Sequence, residues 1–503
     1  MTQPSEAGSV SRPNILIFMT DQQQAQVVQP GHPCRLPHVR RLAAEGLSFS
    51  RVYPPMAHCS PARASFMTGL YPSQHGIHNN VSNEQAIGRS LKPGTETFSE
   101  KLKDAGYGLF FTGKWHVSGT ENPRDRGWEE LSVKAGTDVY MGVRRETWPT
   151  LAPVLREEAG RGRHRGEIVR PGWGNVQLYG TSPLTYEQTE DYQVVRRGIE
   201  QLEELQGGDR PWCLYIGTTG PHDPFIVPEP YASLYDPKQI ALPPNYRDSL
   251  KDKPGLYRRM RRNFDQLDES EVRESIAHYW GYCTMMDDML GEVLETLERC
   301  GMQDNTLVLF LSDHGEHAGA HGLYAKGLSH FEEGYRVPCV MRWPGGMAHP
   351  GRSEDAFVSL ADLAPTLLEA AGVEPLSRCA GRSLLPFLAN GKPAGWRTSM
   401  YTQCDGVEVY HTSRMVRTDR YKFVYHPTDI DELYDLHADP YELTNLAELE
   451  ALEPVKRDMY RLMWENAFRY EDTIFNKYLT VATADYGPLD AIVNERPSQV
   501  QAD

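Results

Sequence analysis

Long apolar runs, closely spaced cysteine pairs, a surplus of basic charge and internal repeats are all missing from this 503-residue sequence. The N-terminal stretch MTQPSEAGSVSRPNILIFMTD has no basic lead segment, and its apolar run ILIFM is too short for a secretory hydrophobic region or a membrane span. A cytoplasmic address with no membrane partner is therefore expected. The eight cysteines, at positions 34, 59, 213, 283, 300, 339, 379 and 404, include no C-x-x-C pair, which argues against both a zinc ribbon and a disulfide framework. With 52 Lys and Arg against 68 Asp and Glu, the formal charge is -16, the wrong sign for a nucleic-acid partner, whose phosphates demand a basic face. An anionic substrate would need a pocket that is positive only locally.

What remains is an ordinary globular composition, 40% hydrophobic and 24% charged, in a chain longer than one hydrophobic core usually serves. Three apolar stretches stop abruptly at polar residues. NILIFMTDQQ ends in Asp21 and Gln22, WCLYIGTTGPHDPF runs into His222 and Asp223, and NTLVLFLSDHGEH reaches Asp313 and His314. Continuous apolar runs suit strands covered on both faces, and segments such as LPHVRRLAAEGLSF and YCTMMDDMLGEVLETLERCGM between them repeat apolar residues at helical spacing. The alternation predicts an α/β fold, a large and mostly parallel sheet sandwiched by helices, with ligands outside the carboxyl ends of its strands. All three polar strand ends should then meet on one rim. An α/β domain is expected over residues 1–395, with polar insertions near 120–190 and 243–270, followed by a smaller C-terminal α+β domain over 396–503. In the first insertion, Tyr140, Trp148, Trp173 and Tyr179 either line an aromatic pocket or form the insertion's own core.

The stretch HCSPARASFMTG, residues 58–69, has two readings. Cys59 is either a buried structural thiol or a reactive one at a helix N-terminus, where unpaired N–H groups favour negative charge and Arg63 follows one turn later. Taken singly, the other polar residues are as ambiguous. Asp21 and Asp313 read as caps or cation ligands, His116 and His222 as structural histidines or acid–base groups, Lys114 and Lys326 as surface charges or anion-binding groups, and Asn80 as a turn former. His317 and His321 stand four residues apart, as zinc ligands on a helix do, but H-E-x-x-H is absent and the Gly and Ala of HGEHAGAHG predict a mobile loop, from which one of them can touch a substrate. The joint occurrence of these residues favours function.

Together the motifs resemble the type I sulfatases of the alkaline phosphatase superfamily, including the arylsulfatases. CSPAR at 59–63 matches the C-x-P-x-R signature, and Asp-Gln at 21–22, GKWH at 113–116, PHDP at 221–224, SDHG at 312–315 and Lys326 in KGLSHFEEGYRVP complete the set. The resemblance covers most of residues 12–445 and implies hydrolysis of aryl or small alkyl sulfate monoesters to alcohol and sulfate. It implies that a formylglycine-generating system oxidises Cys59 to formylglycine, whose hydrate is the nucleophile. It also implies roles for the neighbours: Arg63 orients the hydrate, Lys114 and Lys326 hold the sulfate oxygens with Asn80 adding a hydrogen bond, His116 is the base, and His222, helped by Lys326, protonates the leaving alcohol. Asp21, Gln22, Asp313 and His314, with residue 59, can hold one divalent cation, which neutralises the ester's charge and lowers the pKa of a coordinated hydroxyl.

Many sulfatases carry a second acidic pair and an Asn on the metal, whereas Asp-Gln and Asp-His resemble the choline sulfatase and phosphonate monoester hydrolase branch. Family precedent places Ca2+ first, and the His314 nitrogen moves preference toward Mn2+. The departure makes a phosphonate monoester or phosphodiester hydrolase the alternative activity. Lys114 and His116 argue against it, since a monoester offers three oxygens to cationic groups and a diester fewer. A non-catalytic anion binder with unmodified Cys59 is a further alternative, and a homo-oligomer is expected.

Overall fold

The computed structural model describes residues 12–82, 85–131, 162–170, 174–406, 409–476, 478–489 and 491. Eight strands, β1 (Asn14–Thr20), β2 (Leu47–Tyr53), β3 (Gly108–Gly113), β4 (Glu129–Glu130), β5 (Trp212–Gly217), β6 (Thr306–Ser312), β7 (Cys339–Arg342) and β8 (Arg352–Ser359), form one sheet. Their order is β8-β2-β7-β6-β1-β5-β3-β4. β7 runs antiparallel to both neighbours, and every other pairing is parallel. The apolar run of β1 is continuous because both faces are covered: Ile15, Ile17 and Met19 enter one core, and Leu16 and Phe18 the other. The first core takes Ala62, Phe66 and Met67 from helix α1 (Cys59–Thr68). The second takes Val194 and Ile199 from α2 (Glu190–Glu204), and Met286, Leu290 and Val293 from α3 (Glu269–Arg299). This is the predicted α/β sandwich. Among the described residues, no helix is long and apolar enough to cross a membrane.

Strands β9 (Met400–Cys404), β10 (Ser413–Arg417), β11 (Tyr421–Tyr425) and β12 (Glu432–Asp435) pair in sequence order as a small antiparallel sheet. Helix α4 (Glu453–Arg469) brings Tyr460, Met463 and Trp464 against Phe423 and Tyr425 of this sheet. Met400, Met415 and Val424 pack with Tyr53, Ala57 and Phe357, which fastens the small sheet to the large one.

Of the aromatic residues in the first insertion, Tyr140, Trp148 and Trp173 lie outside the described residues. Tyr179 is buried and its hydroxyl donates to Glu274 of α3 (2.7 Å), which makes it core. The second insertion is polar in composition yet firmly anchored, since Leu250 and Tyr257 are buried with Phe331 and Tyr434. The segment around His317 and His321 departs from the mobile loop its small residues predict. His317, Ala318, Ala320 and His321 are buried, and one Glu316 oxygen accepts from the Ala318 and Ala325 N–H groups (2.8 and 2.7 Å). Gly319 and Gly322, at φ +90° and +68°, let this segment fold back tightly under that carboxylate.

Candidate active site

Parallel pairing places the polar strand ends side by side. Thr20 pairs with Ser312, so Asp21 and Asp313 leave β1 and β6 together, and Gly113 pairs with Gly217, which brings Lys114 beside the loop carrying His222. Helix α1 aims its N-terminus at this rim. His58 is its extended cap, Cys59 its first residue, and Pro61 falls in the first turn, where a backbone N–H has no helical partner to lose. Gly69 ends the helix at φ 67°, a left-handed conformation that suits a residue without Cβ. Asn80 braces the helix: its Oδ1 accepts from the Ser60 N–H (3.2 Å) and so steadies the helix start.

Arg63, one turn into α1, is 1% exposed and holds the rim together. Its Nε donates to Asp313 Oδ2 (2.8 Å) and Nη2 to Asp21 Oδ2 (3.3 Å), while Nη1 donates to the Tyr215 hydroxyl (3.0 Å) and the Lys114 carbonyl (2.9 Å). Lys114 Nζ also donates to Asp21 Oδ2. The inward carboxylate oxygens are thus used by fixed cations, and the other donors converge around the Cys59 sulfur. His314 Nε2 lies 3.2 Å and Asp21 Oδ1 3.8 Å from Sγ, and Nε2 is 3.4 Å from Asp21 Oδ1 and 3.7 Å from Asp313 Oδ1. His314 Nδ1 donates to the Gly315 carbonyl (3.0 Å), which turns Nε2 toward this cluster. Asp21, Cys59, Asp313 and His314 are all buried and offer one ligand atom each within 4.8 Å of one another. Two carboxylates, an imidazole lone pair and the atom at position 59 at such separations fit one divalent cation.

Electrostatics set Cys59 apart from the other buried thiols. Burial pushes Cys339 up to about 12 and Cys404 up to about 11. The same burial acts on Cys59, but Lys114, Lys326 and His314, with a hydrogen bond from His116, outweigh it and hold its thiol well below the ordinary value. Asp21 behaves likewise: burial and Cys59 push its carboxyl up, and the charges of Lys114, His222 and His314 pull it below the usual range. Burial lowers the His116 imidazole, and its hydrogen bond to Cys59 only partly offsets that. His116 takes φ 50° and Gln22 φ 66°, left-handed conformations that non-glycine residues adopt at a cost of about 1–3 kcal/mol and that cluster at functional sites.

On the outer side, Lys326 Nζ contacts His222 Nε2 and donates to Gln22 Oε1 (2.8 Å). Burial would lower the Lys326 ammonium, but Cys59, Asp223 and Asp21 hold its pKa above the usual value. His222 Nδ1 donates to the Asp223 carbonyl (2.6 Å), so Nε2, the nitrogen that meets Lys326, is the one turned toward the site. The Gln22 carboxamide is turned toward this side: besides Lys326 it meets Asp223 (2.8 Å) and Glu316, while its backbone N–H donates to Asp313 Oδ1 (3.2 Å).

Four residues of the site were not singled out from sequence. Tyr215 and Glu316 support Arg63 and Gln22. Asp223 reads from the sequence only as a strand-end residue, although its carbonyl holds His222. His58 is fully buried next to Cys59, both ring nitrogens lack a hydrogen-bond partner among the described residues, and burial together with His314 and Lys326 pushes it down to about 3. Only adjacency to Cys59 marks His58 in the sequence.

Known proteins of similar sequence and fold identify the family. The sulfatase family pattern matches residues 13–373, and the pattern for the C-terminal part of N-sulphoglucosamine sulphohydrolase matches residues 319–468. A choline-sulfatase of Rhizobium meliloti is 31% identical over 480 residues, covering 91% of this chain and 88% of that protein. The multifunctional alkaline phosphatase superfamily protein PehA of Trinickia caryophylli is 29% identical over 496 residues, covering 89% and 94%. Among solved structures, a phosphonate monoester hydrolase from Silicibacter pomeroyi shares the fold with a TM-score of 0.74 at 23% identity, covering 92% of this chain and 96% of that one. With the matched pattern spanning well over half its length, and the signature cysteine at the head of a buried helix facing paired aspartates, the chain belongs to the type I sulfatases of the alkaline phosphatase superfamily, an enzyme that hydrolyses sulfate esters.

Proposed function

We propose that this sulfatase acts on small aryl or alkyl sulfate monoesters, and that Cys59, oxidised to formylglycine by a dedicated modifying system, is the residue that attacks sulfur. The observation that carries this reading is the convergence of Lys114, Lys326 and His116 on position 59, with His222 at the Lys326 ammonium. A sulfate monoester presents three nonbridging oxygens, and two lysines together with Arg63 supply fixed positive charge for them without reorganisation. When bound by Asp21, Asp313, His314 and residue 59, a divalent cation adds Lewis acidity, with Ca2+ first and Mn2+ the alternative that the His314 nitrogen favours. The second lone pair of Gln22 Oε1 keeps this residue available as a further oxygen ligand.

The chain's own residues divide the proton work. His222, steadied by the Asp223 carbonyl, passes a proton from Nε2 to the leaving alcohol oxygen, and Lys326 at that same nitrogen replenishes it. His116, depressed by burial and hydrogen-bonded to position 59, is neutral at pH 7 and accepts a proton from the residue-59 hydroxyl that did not attack. The hydrated aldehyde offers two hydroxyls on one carbon, so sulfate can leave by C–O cleavage rather than by a second attack at sulfur.

The alternative, a phosphonate monoester or phosphodiester hydrolase, is favoured by the likeness to the Silicibacter pomeroyi phosphonate monoester hydrolase, while the two lysines argue for the sulfate monoester. Mass analysis of the peptide spanning position 59, from protein made in its native host, should show the aldehyde or its hydrate. With 4-nitrophenyl sulfate, a phenylphosphonate monoester and a phosphate diester offered to one preparation, the sulfate should turn over fastest per bound metal. A phosphonate rate higher by orders of magnitude would assign the alternative.

A further inference from the structure

We propose that His321, Glu333 and Glu442 form a second cation site, built for a first-row divalent ion such as zinc and sharing no residue with the catalytic cluster. One ligand atom from each of the three lies within 4.8 Å of the others. The residues come from the buried segment ahead of Lys326, the turn after Phe331 and, far along the chain, the stretch following β12.

Each proposed ligand has one atom held by a supporting group and another facing the shared space. His321 Nδ1 donates to Asp248 Oδ2 (2.8 Å), and its ring stacks on Phe331 at 3.6 Å between centroids, so the imidazole cannot swing. Glu333 Oε1 accepts from Asn245 Nδ2 (2.9 Å), and Glu442 Oε2 accepts from the Glu332 N–H (2.9 Å). What remains is His321 Nε2 and Glu333 Oε2, both buried without a hydrogen-bond partner among the described residues, and Glu442 Oε1, which Lys422 Nζ approaches to 2.5 Å. His321 is fully buried. With its proton on Nδ1, its Nε2 turns a lone pair toward two carboxylates, and the Lys422 ammonium at Glu442 Oε1 is the cation that reaches this group of acceptors. A carboxylate or neighbouring group that orients each metal-bound side chain from behind is the usual support of a metal site.

The surrounding charges leave room for a cation. Asp248 is paired with Lys253 (3.0 Å), Glu332 with Lys422 (3.4 Å) and Arg417 (3.6 Å), and Glu442 with Lys422. Glu333 has no cationic partner among the described residues. One nitrogen and two carboxylate oxygens suit zinc with a fourth, open position, whereas the all-oxygen shells preferred by calcium are not on offer. Such an ion would tie the second insertion, through Asp248 and Asn245, to the loop that positions Lys326 and to the C-terminal region.

Zinc binding to the whole protein, measured in excess Ca2+, tests this. The wild type should take up one more zinc equivalent per chain than Glu333→Gln or His321→Ala, and its zinc-induced rise in Tm, several degrees, should vanish in both variants. Crystals of the wild type soaked in zinc should show an anomalous peak between His321 Nε2 and the two glutamates, which decides the matter even where a variant does not fold. Equal zinc stoichiometry in wild type and Glu333→Gln, or no peak at that position, would overturn the proposal. Protein with unmodified Cys59 serves as well, so failure here is distinct from failure of the catalytic reading.

Discussion

Two buried arginines, Arg63 in the large sheet's rim and Arg414 in the small sheet, each lie between two aspartates, and the two settings have opposite uses. Arg414 donates from Nε and Nη2 to Asp472 (2.6 and 3.0 Å) and from Nη1 to Asp405 (2.9 Å). The aspartates there are filled further by Tyr401, Gln403, Thr412 and His78. Arg63 engages Asp313 through Nε and Asp21 through Nη2 but leaves Asp21 Oδ1 and His314 Nε2 turned toward Cys59. One ion network is closed and serves rigidity. The other is closed on the inside only, and its open side is where chemistry can occur.

The sharpest break of this symmetry is Cys59→Ala. Turnover should fall by at least about 10⁴-fold, the order expected when a nucleophile is removed, with denaturant unfolding almost unchanged. Next come Arg63→Met and Arg414→Met. Each takes the arginine from between two buried carboxylates and should cost about 3–5 kcal/mol in denaturant unfolding. A divalent cation should raise the Tm of Arg63→Met by more than it raises the wild type, because Asp21 and Asp313 gain the countercharge they lost, whereas Arg414→Met should show only the wild-type shift. Equal cation responses in the two variants would mean that the rim is as closed as the small sheet. His116→Gln should lower kcat by about 10²–10⁴-fold with little change in stability, as measured by steady-state kinetics and thermal unfolding.

The smallest effect lies on the acid side. Burial would raise Asp405, but Arg414 and His78 prevail and hold it down to about 2 from an ordinary 3.8. A depressed carboxyl stabilises the fold above its unfolded pKa, so this contribution, about 2 kcal/mol, is present above pH 3.8 and is lost as pH falls through 2. Urea unfolding of Asp405→Asn should show a correspondingly flatter acid limb.

The open network was largely legible in the sequence, because a residue that ends an apolar strand must emerge at the sheet's rim. Asp21, Asp313, His314 and Lys114 all follow that rule. Lys326 was reached through the motif that carries it, not through any strand. The orientation of Gln22 was not legible, since its partners Glu316 and Asp223 converge only once β1, β5 and β6 are assembled. Tyr215 reads as one more apolar position in WCLYIG, and its hydroxyl under Arg63 exists only in three dimensions. The closed network was invisible for a related reason. Arg414, Asp405 and Asp472 belong to a strand, a turn and a helix end with no shared spacing. His321 was read with His317 on chain spacing alone, whereas the fold turns it toward Glu333 and Glu442 and leaves His317 on Ser329 (3.0 Å).

The pairing of Thr20 with Ser312 makes the sheet a gauge as well as a scaffold. Adjacent strands are about 4.8 Å apart whatever their side chains, so the gap between the two aspartates is fixed by backbone ladders that no point substitution easily widens. Ion preference in such a protein is then adjusted from above, by exchanging His314 or the occupant of position 59, and a lineage can change metals without rebuilding the floor on which they rest.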